Sequence, residues 1–227
     1  MNLIQQLVDI VLHVDKYLFQ IIQTFGPLSY VILFLVIFAE TGLVVTPFLP
    51  GDSLLFAAGA LTAGDPQGTL SIVVLWLALC VAAVLGDSVN YAIGRRIGNR
   101  AFDGSIRFLK PEYLEKTEKF YAKHGGKTII LARFVPIVRT FAPFVAGVGH
   151  MNYSKFFSFN VVGGIAWVTI LVWLGYFFGN IPIVKENFEV VVVGIVLVSV
   201  VPIFIEWIKA RREHKAQVAA VADRPAK

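Results

Sequence analysis

The chain has 227 residues, of which 57% are hydrophobic and only 15% charged, and its formal net charge is +5. That balance excludes a soluble fold, because long stretches such as Leu70 to Leu85 and Val190 to Ile205 have almost no polar face; it predicts an all-α polytopic membrane protein. The basic residues gather in two blocks beside apolar segments without the aromatic interleaving that stacks bases, so nucleic acid is excluded as a partner and the blocks read as topology signals.

From Leu3 to Phe25, polar residues recur every three or four positions opposite a face of Leu, Ile, Val and Phe. This predicts an N-terminal amphipathic helix within residues 1–27, lying in the membrane interface or along a bundle. Residues 28–210 read as one transmembrane domain. Its first apolar stretch, Leu28 to Ala63, is interrupted by Gly42, Pro47, Pro50 and Gly51. It is too long for one span of about 20 residues and too short for two, so a re-entrant hairpin that turns inside the membrane is predicted. A span over Leu70 to Ile93 follows.

The loop of residues 94–127 carries nine Lys and Arg against four acidic residues and is assigned to the cytoplasm. Within it, PEYLEKTEKFYAKHGG has Pro in its first turn, i,i+4 Glu–Lys pairs and terminal glycines, which predicts a surface helix. Three apolar segments remain: Thr128 to Gly149, Phe156 to Gly179 and Phe188 to Ile208. The tail KARREHK is basic and also cytoplasmic, so an even number of crossings must separate it from Lys127. The segment that does not cross is the one with internal arginines and prolines, residues 128–149, read as a second re-entrant hairpin entering from the cytoplasm. The expected architecture is therefore two oppositely oriented hairpins, about three spanning helices and a disordered cytoplasmic tail over 211–227.

Both hairpins carry charge at depth. At about 1.5 Å per helical residue, Glu40 lies about 18 Å and Asp52 about 17 Å from the ends of their arms, and Arg133 and Arg139 about 8 and 16 Å from theirs. Each unpaired charge at mid-bilayer costs about 2.5–3.5 kcal/mol, so the four must pair or line a wet cavity. Glu40 and Asp52 are predicted to face Arg133 and Arg139 across a central polar site. The plainer reading is a pair of static ion bridges pinning two hairpins. Buried ion pairs stabilise poorly, however, which favours a site that binds or moves something. LLFAAG, ending at Gly59, and APFVAG, ending at Gly147, form a weak inverted repeat of the kind that lets a site open to alternate sides.

FAETGLVVTPFLPGDSLLFAAGAL, GDSVNYAIGRRIG, HGGKTIILARFVPIVRTFAPFVAGVGHM and the later Trp167 and Gly175-Tyr176 closely resemble the DedA family of bacterial inner-membrane proteins, from the N-terminal helix to about Ile208. The resemblance implies two re-entrant hairpins and a proton-motive-force-dependent role in envelope homeostasis. It also implies flipping of undecaprenyl phosphate or phospholipid and resistance to cationic peptides. It puts the family's essential acidic pair on Glu40 and Asp52 and its essential arginines on Arg133 and Arg139. In physical terms, two guanidiniums suit a phosphate head group, and a carboxylate in a low-dielectric site can take up and release a proton.

The expected function is thus a transporter or flippase of a phosphate-bearing lipid, with membrane lipids and protons as partners; a homo-oligomer is compatible with the sequence. A lipid phosphatase would want a positioned nucleophile or base, and neither hairpin contains a His, so an enzyme is not expected. A small-ion antiporter and a non-transporting assembly factor are the other readings. Asp87 and Asn90 are secondary site candidates that could equally anchor helices. Arg95 and Arg96 read as interfacial anchors, and Trp167 as an anchor or packing residue. Cys80 is the only cysteine and the four histidines share no ligand spacing, so no metal and no cofactor are expected.

Overall fold

The computed structural model describes residues 20–22, 24–43, 51–63, 68–98 and 111–179, with a few positions beyond. The predicted N-terminal amphipathic helix apart from its last residues, the tip at 44–50, the start of the cytoplasmic loop, the final apolar segment and the tail lie outside the described residues. The described residues form helices and turns, with no strand among them. They are α1 (Ser29–Gly42), α2 (Gly51–Ala63), α3 (Ile72–Ile97), α4 (Pro111–His124), α5 (Thr128–Ala132), α6 (Pro136–Val148) and α7 (Tyr153–Phe178).

Two lengths dominate. Helices α3 and α7 have 26 residues each, about 39 Å, and are long and apolar enough to cross a membrane. Helices α1 and α2 have 14 and 13 residues, about 20 Å, and neither can cross a 30 Å core alone. The ends follow from local chemistry. Helix α3 finishes with Arg95 and Arg96 in its last turn and Gly98 at φ +57°, which suits the negative end of the helix dipole and the left-handed residue that stops it. Helix α6 opens on Pro136 and carries Pro143 inside, which cannot donate to the Arg139 carbonyl. It closes in a Schellman turn, with His150 at φ +51° donating to Gly147 O at 3.0 Å and Met151 N–H donating to Ala146 O at 2.9 Å. Helix α7 then starts at Asn152, whose side chain accepts from Lys155 N–H at 3.3 Å.

Contacts between helices fix their directions. Tyr30 meets Ser71 while Thr41 meets Gly86, so α1 runs parallel to α3. Trp76 Nε1 donates to Thr169 Oγ1 at 2.8 Å and Asn160 Nδ2 to Val84 O at 2.9 Å, so α3 and α7 are antiparallel. Asp52 lies beside Trp167 and Ala60 beside Gly179, making α2 parallel to α7. Asn90 lies beside Thr140 and Gly94 beside Phe144, making α6 parallel to α3. Ile130 approaches Gly163 and Gly126 approaches Phe159, so α5 follows α7. Helices α1 and α2 are therefore opposed in direction, as are α5 and α6, and the chain reverses at the two breaks. The first pair starts from the end of the bundle where α3 begins, and the second from the end where α3 finishes.

Each returning arm is fastened to the long helix of the other half through glycine. A Cβ on Gly59 would collide with Val172 O, and one on Gly175 with Phe56 O; equally, Gly147 abuts Tyr91 O and Gly94 abuts Phe144 O. Phe56 and Gly59 have the spacing of Phe144 and Gly147, and Val172, Gly175 and Tyr176 that of Tyr91, Gly94 and Arg95. The repeat visible as LLFAAG and APFVAG is a repeat of docking geometry. Backbone-to-backbone approach of this kind needs a hydrogen in place of a side chain. Gly175→Val is expected to lower the yield of folded, monodisperse protein and to destabilise it by more than the 1–3 kcal/mol typical of overpacking, because the obstacle is main chain. Thermal unfolding in detergent measures it.

Helix α4 rests on α6. Tyr121 is half-buried and its hydroxyl donates to Ala142 O at 2.9 Å, while Glu118, Lys119 and Lys123 are exposed. Burial holds its phenol well above the ordinary range, so it stays a donor. The apolar core divides accordingly. One cluster of Leu33, Ile37, Leu55, Leu75, Leu79, Val168 and Val172 joins α1, α2, α3 and α7, and a second of Tyr91, Ile129, Val138, Ala142 and Phe156 joins α3, α5, α6 and α7. The polar site lies between them.

Candidate functional site

Three of the predicted charges meet at one guanidinium. Arg139, on the second turn of α6, donates through Nη2 to Glu40 Oε1 and through Nη1 to Asp52 Oδ1 at 2.7 Å. Glu40 stands near the end of α1 and Asp52 at the start of α2, so one fork spans both sides of the first break. The planar guanidinium suits this, since its nitrogens present fixed, divergent donors. Asp52 Oδ1 also accepts from Trp167 Nε1 at 2.9 Å. Gly51 is required beside them: a Cβ there would overlap the Glu40 carboxylate. Glu40 is buried, whereas the side chains of Arg139 and Asp52 retain 19% and 23% exposure.

Arg133 takes a different partner from the one expected. Its Nη2 donates to Asp87 Oδ2 at 2.6 Å and to Asn160 Oδ1 at 2.6 Å, and both members of the ion pair are buried. The reason is position. Arg133 follows a helix of only five residues, α5, whose neighbour is α7, and at that depth the nearest carboxylate is on α3. Gly163 and Gly164 lie against the guanidinium stem, where side chains would crowd it. The second candidate, Asn90, does join the site: its Nδ2 bridges Thr41 O at 3.2 Å and Thr140 O at 2.9 Å, tying the end of α1 to α6.

The two ion pairs share one aromatic ring. The guanidinium carbons of Arg133 and Arg139 lie 5.7 and 5.3 Å from the Trp167 ring, within cation–π range. Between the pairs is a cavity of about 20 Å³ lined by Glu40, Asp87, Arg133, Arg139, Thr140 and Trp167 among others, room for about one water. Glu40 Oε2 and Arg133 Nε are buried without a hydrogen-bond partner among the described residues, and both residues line that space. Buried polar atoms left so cost about 1–3 kcal/mol each, and the space between them is large enough for one water to offset that.

Asn160 and Trp167 are the site residues that sequence reasoning missed. Asn160 is a fully buried amide two turns into an apolar spanning helix, a placement expensive enough to have flagged it. Trp167 sits mid-helix rather than near an end, where an interfacial anchor would be.

Residues 49–177 match the family model described as the VTT domain. Over 213 residues the chain is 52% identical to Protein DedA of Escherichia coli K12, covering 93% of this chain and 97% of that one. An uncharacterized membrane protein of Mycobacterium tuberculosis is 44% identical over 182 residues (80% and 79% of the two chains). The inner membrane protein YqjA of Escherichia coli K12 is 39% identical over 155 residues (68% and 69%). No solved structure matches the chain. With the domain match covering more than half of its length and identity running through nearly all of it, the chain belongs to the DedA family of membrane proteins and is built on a VTT domain.

Proposed function

We propose that the protein is a proton-coupled transporter, a flippase, that moves a phosphate-bearing lipid across the bacterial inner membrane in support of the cell envelope. On this reading α1–α2 and α5–α6 are re-entrant hairpins entering from opposite faces, the chain is multi-pass, and its C-terminus is cytoplasmic. The opposed directions of the two broken pairs and their short lengths support it, since non-helical backbone at membrane depth is tolerated where it lines a cavity or is covered by protein. The observation that carries the functional part is the Arg139 fork, held by two carboxylates from the other hairpin beside a water-sized polar cavity.

Three carboxylates face two guanidiniums here, so the fully ionised cluster has a net charge of −1 and one proton neutralises it. A phosphate that takes Arg139 displaces Glu40 and Asp52 from their cation, which raises the demand of the cluster for that one proton. Substrate binding and protonation are thereby linked in one exchange of partners.

Purified protein in liposomes with an imposed proton gradient, assayed with a fluorescent polyprenyl phosphate, tests the proposal. Wild type is expected to move the lipid and Glu40→Gln to lose the dependence on the gradient. Equal movement with and without Glu40 would sink the proton role, and release of inorganic phosphate from the lipid would replace transport with hydrolysis.

A further inference from the structure

The end of α3 carries a second basic feature that the central site does not use. Arg95 and Arg96 are exposed, and no described carboxylate pairs with either. They form one wall of a groove of about 460 Å³ whose other lining residues are Ser88, Tyr91, Ala92 and Tyr153. The floor is rigid: the Tyr91 hydroxyl donates to Met151 O, and its ring stacks on Phe156 with centroids 4.5 Å apart. Tyr153, 5.5 Å from Tyr91 between centroids, is the exposed opposite wall and continues into exposed Phe157.

The groove does not end at the tyrosines. On a helix with 100° per residue, positions 74, 77, 81, 85, 88, 92, 95 and 96 fall on one face. The large apolar residues of that stripe, Val74, Leu77, Val81 and Leu85, are each 45–50% exposed. From Val74 to Arg95 the stripe is about 32 Å long, the thickness of a bilayer core, so a spanning α3 puts the arginine pair at head-group level and its exposed apolar stripe against the hydrocarbon. A small apolar partner leaves the arginines unused, and a soluble anion leaves the stripe bare. An amphiphile with a negative head and a long chain uses both.

We propose that this groove is a binding site for one anionic phospholipid, its phosphate held by Arg95 and Arg96 beside Tyr153 and its chain laid along the α3 stripe. The site is separate from the Arg139 fork and stands whatever that fork carries. Guanidinium pairs bind phosphate oxygens in bidentate geometry, and Tyr at this level offers an amphipathic edge.

Native mass spectrometry of the purified full chain tests it, with phosphatidylglycerol and phosphatidylcholine of matched chains offered in equal amounts. Wild type is expected to retain the anionic lipid in about tenfold preference, the size of one charge-assisted contact. The double variant Arg95→Gln, Arg96→Gln is expected to lose that preference. Ala92→Trp keeps both charges and fills the groove, and is expected to lower retention as well. The Arg95→Gln, Arg96→Gln variant is expected to keep the lipid movement of wild type in the liposome assay, which separates failure of this site from failure of the transport reading. Equal retention of the two lipids, retention unaffected in either groove variant, or displacement of the lipid by millimolar inorganic phosphate would overturn the proposal.

Discussion

Arg139→Ala is expected to abolish lipid movement and to destabilise the fold by about 3–5 kcal/mol, the cost of leaving a buried ion-pair partner uncompensated. The size follows from the fork. Removing one side chain strips Glu40 and Asp52 of their shared cation at once and removes a cation–π contact to Trp167. Arg139→Lys restores the charge without the two-pronged geometry and is expected to recover most of the stability and little of the transport. Thermal unfolding, beside the liposome assay, checks both halves. Full transport by the lysine variant would mean that point charge alone is what the substrate reads.

The second large effect separates architecture from activity at Arg133. Arg133→Met alone is expected to cost about 3–5 kcal/mol, because Asp87 is left buried and unpaired on α3. Adding Asp87→Leu in the same chain is expected to return stability to within about 1 kcal/mol of wild type or above it, since apolar pairs of similar volume replace buried ion pairs at little cost. Lipid movement is expected to stay absent in the stable double variant. A double variant that is both stable and active would make the Arg133–Asp87 pair a static bridge, while one that stays unstable would show that Asn160 depends on it.

The two long helices and the helix over Pro111–His124 were legible because each has a length, capping or periodicity that local chemistry fixes, and length counting needs no tertiary knowledge. The meeting of Glu40, Asp52 and Arg139 was legible for the same reason: charges at equal depth on opposed arms have nowhere else to go. Arg133 was misassigned because depth alone does not distinguish neighbours. The sequence places Glu40, Asp52 and Arg139 near the midplane and Arg133 at about half that depth, but does not say that α5 lasts only five residues and leans on α7, which turns Arg133 toward Asp87. Asp87 and Asn90 suit site and anchor equally by sequence; in the structure Asp87 is an ion-pair partner, and Asn90 ties together two carbonyls of residues that line the site. Trp167 was hidden by its residue type, since tryptophan is so common an anchor that an indole aimed at a carboxylate leaves no mark in the chain.

The glycine fastenings bear on how the molecule is made. Gly59 on α2 docks against Val172 and Tyr176, and Glu40 and Asp52 are satisfied by Arg139. The first partner therefore emerges from the ribosome more than 100 residues after the group it must receive, and the second nearly as late. At roughly 5–20 residues per second, the first half waits on the order of ten seconds with two carboxylates and a broken arm unpartnered. An assembly line with that gap needs a holder, and the residence time of the unfinished chain at the insertion machinery becomes part of its biogenesis.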